Sequence, residues 1–277
     1  VNCHQVKRAV VGNMLSHGIG GMPYHSVEEG EMKQCDDCHP GLNTVHIGTS
    51  VELVFQNNLH QRLACQVCHI PTFARNTSTK VEWYWETAGQ TIDPIPVDPA
   101  TGRPTYDKKK GDFVWANNVR PELRFFNGKY RKMLLEVNDT YETEPVVLAE
   151  PVGDYTDPSA MIYPFKKMIG NQVADVVNKR IMVPHLFGLA GGPNPYWGAF
   201  DWDLALLDAA AVTGQPYQSG DFGFVDTEMY LSVNHEVAPK EQAWGMGGDC
   251  GDCHLQGQID WAALGWSGDP VVDGVRP

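Results

Sequence analysis

The stretch Cys65–His69, with the sequence CQVCH, gives the first indication of what this chain of 277 residues is built around. The same Cys-x-x-Cys-His pattern recurs at Cys35–His39 and at Cys250–His254. The seventh cysteine, Cys3, is also followed directly by a histidine, His4. All seven cysteines therefore belong to one repeated pattern, which indicates one shared chemistry rather than a set of disulfides.

This pattern is typical of covalent c-type haem attachment. Two thiols bond to the two vinyl groups of one haem, and the adjacent histidine binds the iron from the proximal side. The cysteines predicted to hold haem c are Cys3, Cys35, Cys38, Cys65, Cys68, Cys250 and Cys253. The predicted proximal iron ligands are His4, His39, His69 and His254.

Other readings of the cysteine pairs explain less. A zinc ribbon uses two Cys-x-x-Cys pairs, a thioredoxin-like site uses one, and a disulfide across two residues is a third alternative. None of them gives a reason for a histidine after every pair. For Cys3-His4 we expect a fourth haem motif whose first cysteine precedes Val1. A single-cysteine haem linkage and a plain thiol remain alternatives, so the prediction is about four haems in a chain that begins at a mature or cut end.

Six further histidines are candidates for the distal iron position, because a low-spin electron-transfer haem needs a sixth ligand, usually His or Met. They are His17, His25, His46, His60, His185 and His235. Three methionines near the motifs, Met14, Met22 and Met246, are weaker competitors. With four haems, two histidines are left over, to ligate haems of a neighbouring chain or of a missing segment, or none.

The motifs divide the chain into three segments that we expect to form one cooperative unit. Residues 1–75 are dense in haem motifs, residues 76–240 contain no cysteine and wrap the haems while supplying distal ligands, and residues 241–277 carry the last motif. Apolar spacing predicts a helix from Val51 to Cys68.

Within the middle segment, extended structure is predicted at Phe113–Val119 and Leu123–Phe126. Asn127-Gly128 predicts a hairpin turn. Residues Asp201–Ala211 predict a helix that ends at Gly214.

Charge and hydropathy exclude two classes of protein. Lysines and arginines number 21 against 34 acidic residues, so the net charge of −13 argues against nucleic-acid binding. No run of about 18 apolar residues predicts a transmembrane helix. Because c-type haem is attached outside the cytoplasmic membrane, we expect an exported protein, periplasmic or extracellular.

Beyond the motifs, the chain resembles the octahaem tetrathionate reductase family of multihaem c-type cytochromes. The resembling segments are CQVCHIPTFAR at 65–75, WYWETAG at 83–89, YDKKKGDFV at 106–114, YPFK at 163–166, VNK at 177–179, VPHLFG at 183–188, YWGAFDWD at 196–203, GFVDTEMY at 223–230 and HEVAPK at 235–240. They keep their order along nearly the whole chain.

The resemblance implies a multihaem cytochrome c fold, mainly α-helical and irregular with a little β, wrapped around closely packed, mostly bis-His haems. Histidines at positions like His25, His46, His60, His185 and His235 also recur in that family. The chain departs from the family by having four motifs instead of eight. Nothing in it matches the family's lysine-ligated substrate haem, so the resemblance supports fold and ligation and not catalysis.

The function predicted from these observations is electron transfer through a chain of bis-His haems, because a six-coordinate iron has no open position for a substrate. The expected partners are other redox proteins or extracellular electron acceptors, and one variant is an extracellular homopolymer with haem ligation across subunits.

Two alternatives stay open. One is a reductase of tetrathionate, nitrite or hydroxylamine, or a fragment of one; its anion would need cations such as Arg75, Lys80, Arg120 and Lys166, and the net charge opposes anion steering. The other is a structural protein that uses haem as a staple.

Overall fold

A computed structural model of the chain describes residues 35, 60–133, 139–188, 194–245, 249–255, 257 and 259–275 in full. It describes residues 6–11 and 14–19 as backbone only. Those two segments are the strands β1 (Val6–Val11) and β2 (Met14–Ile19), which pair antiparallel.

A mixed sheet of nine strands dominates the described part of the chain. Its strands are β3 (Thr79–Tyr84), β4 (Tyr106–Asp107), β5 (Gly111–Ala116), β6 (Glu122–Phe126), β7 (Tyr130–Lys132), β8 (Val146–Pro151), β9 (Met161–Asp175), β10 (Arg180–Ile181) and β11 (Phe222–Ser232). The main path runs β4-β5-β3-β9-β11-β8-β7, and both β6 and β10 also pair with β9.

Strand β9 organises this sheet because it is 15 residues long and pairs with four other strands. Its first residues, Met161–Phe165, pair antiparallel with β6, and its remainder pairs antiparallel with β11. Alternate residues of the paired strands are buried, for example Leu123 and Phe125 in β6, because side chains of a strand point to opposite faces.

A glycine allows β3 to lie parallel beside β9. Gly170 is opposite Trp83, and a Cβ atom at Gly170 would be 1.9 Å from the Trp83 carbonyl oxygen. Any side chain there would collide with the β3 backbone, so this pairing requires glycine.

Four short helices accompany the sheet among the described residues: α1 (Cys65–His69), α2 (Tyr196–Ala199), α3 (Trp202–Thr213) and α4 (Gly251–His254). The predicted helix in residues 201–211 is confirmed as α3, in which Asp201 caps the N-terminus by accepting a hydrogen bond from the Leu204 N–H. Gly214 ends the helix with φ +74°, as predicted. No described helix has the length and apolar character needed to span a membrane.

The predicted fold class, mainly α-helical and irregular with a little β, is wrong. In the part of the chain that the structure describes, strands of the large mixed sheet prevail and the helices are few and mostly short. The physical reason lies in residues 76–240, where no haem motif is available to supply apolar surface. This segment instead forms a conventional core from β-branched and aromatic residues, which pack well on a sheet.

Two predicted elements are also corrected. The helix expected from Val51 to Cys68 fails in its described part, because Leu63 bridges to Ile162 and α1 begins only at Cys65. The hairpin expected at Asn127-Gly128 does not form, because β6 pairs with β9 while β7 pairs with β8. The extended structure predicted near Phe113 and Leu123 is confirmed as β5 and β6.

Two apolar clusters matter for the site. The first, here called the motif cluster, consists of Ala64, Val67, Leu123, Phe125, Phe126, Ala160, Ile162, Tyr163, Phe165, Tyr230 and Leu264. It includes residues flanking both described haem motifs and the first part of β9. The second, the helix cluster, packs α2 and α3 against β9 through Val173, Met182, Tyr196, Trp202, Ala205 and Leu206. One end of the sheet therefore holds the haem motifs and the other holds the longest helix.

Candidate functional site

The Cys65–His69 motif is fixed to the sheet by the residues between its cysteines. Val67 is 1% exposed within the motif cluster, and Gln66 donates a hydrogen bond to the Tyr163 hydroxyl at 2.7 Å. Cys65 is exposed and Cys68 is half-buried. One side of this single helical turn is thus held by the protein, and the other side presents its cysteines outward.

The Cys250–His254 motif lies against the first motif. The backbone N–H of Trp244 donates a hydrogen bond to the Cys68 carbonyl at 3.0 Å. The backbone N–H of Gly245 donates one to the Asp252 carboxylate at 2.9 Å. The backbone at 244–245 therefore joins the two motif helices, although 182 residues separate Cys68 from Cys250 in the sequence.

A third motif cysteine, Cys35, lies at the same end of the sheet. Burial raises the pKa of Tyr163, and Cys35, Tyr130 and Cys65 act electrostatically to raise it further. Both cysteines are thus within electrostatic range of one hydroxyl on β9. The described cysteines of three motifs converge here, and none of the five is joined in a disulfide.

The second cysteine of each described motif is the less exposed of the two. Burial raises the pKa of Cys68 to about 11, with Asp252 adding to the effect. Burial likewise raises the pKa of Cys253 to about 12, with Cys68 also contributing. In the structure as described, both thiols are therefore uncharged at neutral pH.

The proximal candidate His254 is oriented by a carboxylate. Its Nδ1 lies 2.8 Å from Oδ1 of Asp269, which is 7% exposed and also accepts hydrogen bonds from the Val271 and Val272 N–H groups. Burial by itself would raise the pKa of Asp269, but the hydrogen bonds outweigh it and keep that pKa below its usual range. A carboxylate at Nδ1 leaves Nε2 of His254 available to bind a metal.

A second imidazole faces His254. The ring of His60 lies 6.2 Å from the His254 ring, centroid to centroid, with 27° between the ring planes. Two imidazoles bound to opposite sides of one metal at about 2 Å each would have ring centres about 6 Å apart. The Trp261 ring also stacks with the His254 ring, at a centroid distance of 5.2 Å. Of the predicted distal ligands whose side chains the structure describes, His60 lies at a ring separation from a motif histidine that matches this distance.

His235 lies on a loop that packs along the first motif. The Ala238 N–H donates to the His69 carbonyl at 2.8 Å, and Val233 packs with Ile70 and Phe73. The loop places the exposed His235 on the His69 side of the molecule.

His185 lies in a different region, beside the helix cluster. Its ring Nδ1 is 3.6 Å from Oδ2 of Asp208 on α3, and its backbone N–H donates a hydrogen bond to the Ala205 carbonyl. The neighbouring Phe187 is 73% exposed and stacks on Trp197. His185 thus has a carboxylate at one ring nitrogen and an exposed aromatic neighbour, but in the described part of the chain it does not contact either complete motif.

The remaining predicted ligands are not described at side-chain level. Cys3, His4, His25, Cys38, His39 and His46 lie outside the described residues. His17 is described only as a β2 backbone position paired with Arg8. Their roles stay predictions.

Two contributors to the site were missed by sequence reasoning. Asp269 follows His254 by 15 residues, and no motif marks it. The sequence offers Arg120 only as a cation for an anion site. In the structure its guanidinium lies 4.0 Å above the Trp244 ring and donates a hydrogen bond to the Asp252 carbonyl at 3.3 Å. Neither pairing has a local sequence pattern, so only the tertiary structure reveals them.

The residues present fit a haem at the second motif. They comprise Cys250 and Cys253 on one helical turn, His254 with Nε2 available, and His60 across from it. Leu255, directly after His254, is 74% exposed and offers apolar surface for a macrocycle. Among described residues there is no cluster of three or more His, Cys, Asp or Glu side chains that would hold a bare metal ion.

Comparison with known proteins agrees with this chemistry. Residues 80–257 match the family described as bacterial cytochrome c. The fold is similar to the crystal structure of an octahaem cytochrome c from Shewanella oneidensis, with a TM-score of 0.71 and 34% sequence identity over 98% of this chain. This chain spans 58% of the length of that protein. A search of curated proteins found no match. The resemblance inferred from the sequence motifs is confirmed.

Proposed function

We propose that this chain, which belongs to the bacterial cytochrome c family, transfers electrons through several covalently bound haem c groups. The observation that carries the proposal is the junction of the two described motifs. There the backbone N–H groups of residues 244 and 245 donate hydrogen bonds to Cys68 in one motif and to Asp252 in the other. When bound, haem c supplies one-electron redox centres. The chain's own contribution is to hold the attachment points close together.

The imidazole pair supports conduction rather than catalysis. His60 and His254 are our proposed axial ligands at the Cys250–Cys253 motif, since their ring separation of 6.2 Å fits two ligands on one metal. Together they would close both axial positions and exclude substrate and water. Asp269 fixes the tautomer and orientation of His254.

Three of the four cations named for the reductase alternative have separate partners among the described residues. Arg75 pairs with Glu236 at 3.6 Å, and Lys166 donates to the Thr79 hydroxyl at 2.8 Å. Lys80 lies over the rings of Phe113 and Trp83. The described contacts therefore do not join these three cations at one anion, and we keep electron transfer as the main proposal.

We also propose an exported, periplasmic or extracellular, location with redox proteins or extracellular acceptors as partners. Assembly into a polymer remains part of this proposal. Its support is His185, which has a carboxylate at Nδ1 and an exposed neighbour, Phe187. If His185 ligates iron in a second copy, His185→Ala will reduce the assembled mass seen by light scattering, with Glu142→Ala, a change at an exposed residue, as the control. An unchanged assembly, or a purely monomeric native protein, would contradict the polymer.

The test of the main proposal uses the native, haem-loaded protein. Replacing Cys250 and Cys253 together by Ala should lower the haem count by one in both pyridine haemochrome and intact-mass measurements. The reduced native protein should show low-spin spectra and no response to carbon monoxide. A high-spin, carbon-monoxide-binding spectrum would instead support the reductase, and an unchanged haem count would refute attachment at this motif.

A further inference from the structure

Arg120 is a charged group whose counter-ion is missing from the described residues. Its Nε atom is buried and has no hydrogen-bond partner among the described residues. No described carboxylate lies within 4 Å of its guanidinium, whereas Arg75 has Glu236 and Arg124 has Glu122. The side chain as a whole is partly buried, and a cation partly withdrawn from water is stabilised by an opposite charge.

The position of Arg120 restricts what that partner is. The guanidinium lies over the Trp244 ring and donates a hydrogen bond to the Asp252 carbonyl within the second motif. The backbone N–H of Trp244 in turn donates a hydrogen bond to the Cys68 carbonyl of the first motif. Burial lowers the pKa of Arg120, and Cys253 and Asp252 act electrostatically in the opposite direction. The group therefore stands at the junction of two proposed haem attachment sites.

We propose that Arg120 holds a propionate carboxylate of the haem attached at Cys250 and Cys253, and so is a positioning residue for that haem. A haem brings two propionates, which are the anions that attachment at this motif would add beside Arg120. The planar guanidinium fork matches a carboxylate with two parallel N–H donors, and the buried Nε is one of the donors in that fork. Trp244 keeps the guanidinium plane in place by stacking. The inference rests on the haem attachment proposed above.

The pairing predicts an electrostatic effect that a structural role would not produce. A cation near the haem disfavours the oxidised state, which carries one more positive charge. Arg120→Gln should therefore lower the midpoint potential of one redox transition and leave the others near their native values. It should also displace the propionate bending band in the resonance Raman spectrum of the reduced protein.

Two further variants make the test specific. Arg120→Lys keeps the positive charge but loses the two parallel N–H donors of the guanidinium. Its midpoint potential should therefore stay close to the native value, while the Raman band should still be displaced. Arg180→Gln is the matched control, because the Nε of Arg180 is also buried without a partner, but Arg180 lies on β10 at the other end of β9. The control should change neither measurement.

Several outcomes would overturn the proposal. One is an Arg120→Gln protein with native potentials and a native Raman band, and another is an equal potential shift in Arg180→Gln. If Arg120→Gln fails to fold, Arg120→Lys decides alone, since an undisplaced propionate band would refute the pairing. Failure of the haem attachment itself is recognised separately, by an unchanged haem count in the Cys250/Cys253 double variant.

Discussion

At the scale of single residues, the site depends on side chains that orient imidazoles rather than on the cysteines alone. His254 has Asp269 at Nδ1 and the His60 ring 6.2 Å away. Each of these neighbours has a separate expected effect, because His60 would close a coordination position of the proposed haem iron and Asp269 would change the basicity of His254 as its ligand.

Replacing His60 by Ala should open one axial position. We expect the variant to gain a high-spin component and to bind carbon monoxide when reduced, which optical difference spectra would detect. Gln61→Ala is the control, since Gln61 is the exposed next residue. A fully low-spin Ala variant with no carbon monoxide response would contradict the assignment of His60.

Replacing Asp269 by Asn should raise the potential of one haem transition. The carboxylate at Nδ1 would make His254 a stronger electron donor to a bound haem iron and so favour its oxidised state, and a neutral amide should do this less. Potentiometric titration would measure the shift. Asp260→Asn, an exposed acid in the same segment, should leave the potentials unchanged, and an equal shift in both variants would argue against a role through His254.

At the scale of elements, the sheet depends on close backbone packing and the helices on local caps. The long strand β9 is paired on both sides, and Gly170 is where β3 approaches it most closely. In contrast, α3 is defined by the residues at its own ends, Asp201 and Gly214.

The variant Gly170→Ala should destabilise the protein by about 3 kcal/mol, because the added methyl group would overlap the Trp83 carbonyl and force the strands apart. The midpoint of chemical denaturation measures this loss. Gly198→Ala is the control, since a Cβ there would be 3.5 Å from Pro195 in ordinary contact. Equal stability of the two variants would contradict the proposed strand approach.

The variant Asp201→Ala should cost about 1 kcal/mol, the usual value of an N-cap hydrogen bond. Asp201→Asn keeps an acceptor oxygen and should retain most of the stability. Both are measured by denaturation. If the Asn variant loses as much as the Ala variant, the cap is not the source of the effect.

At the scale of the whole molecule, one sheet carries two regions with different roles. The first part of β9 supports the motif cluster, and the last part supports the helix cluster with His185. The haem count belongs to this scale. From the three complete motifs and Cys3-His4 we expect the native protein to bind about four haems, and Cys3→Ser should remove one by intact mass. A native count of three would contradict the assignment of Cys3-His4 to a haem.

The sequence by itself predicted haem c, which the family match supports. Each proposed attachment motif needs only five consecutive residues, such as Cys65–His69, so covalent geometry brings its ligands together without any tertiary contact. The cap and end of α3 were predictable for the same reason, because a helix terminus is satisfied by neighbouring residues. The resemblance across residues 65–240 likewise predicted the octahaem cytochrome likeness.

Only the tertiary structure decided the fold class and the partners of each imidazole. Strand pairing joins residues far apart in sequence, as when β9 pairs with both β6 and β11, and no local pattern specifies that choice. The contacts of His254 with His60 and Asp269, and of Arg120 with Trp244 and Asp252, span from 15 to 194 residues. They exist because the sheet brings the two motifs to one end, and burial there gives each charged or polar group a specific partner.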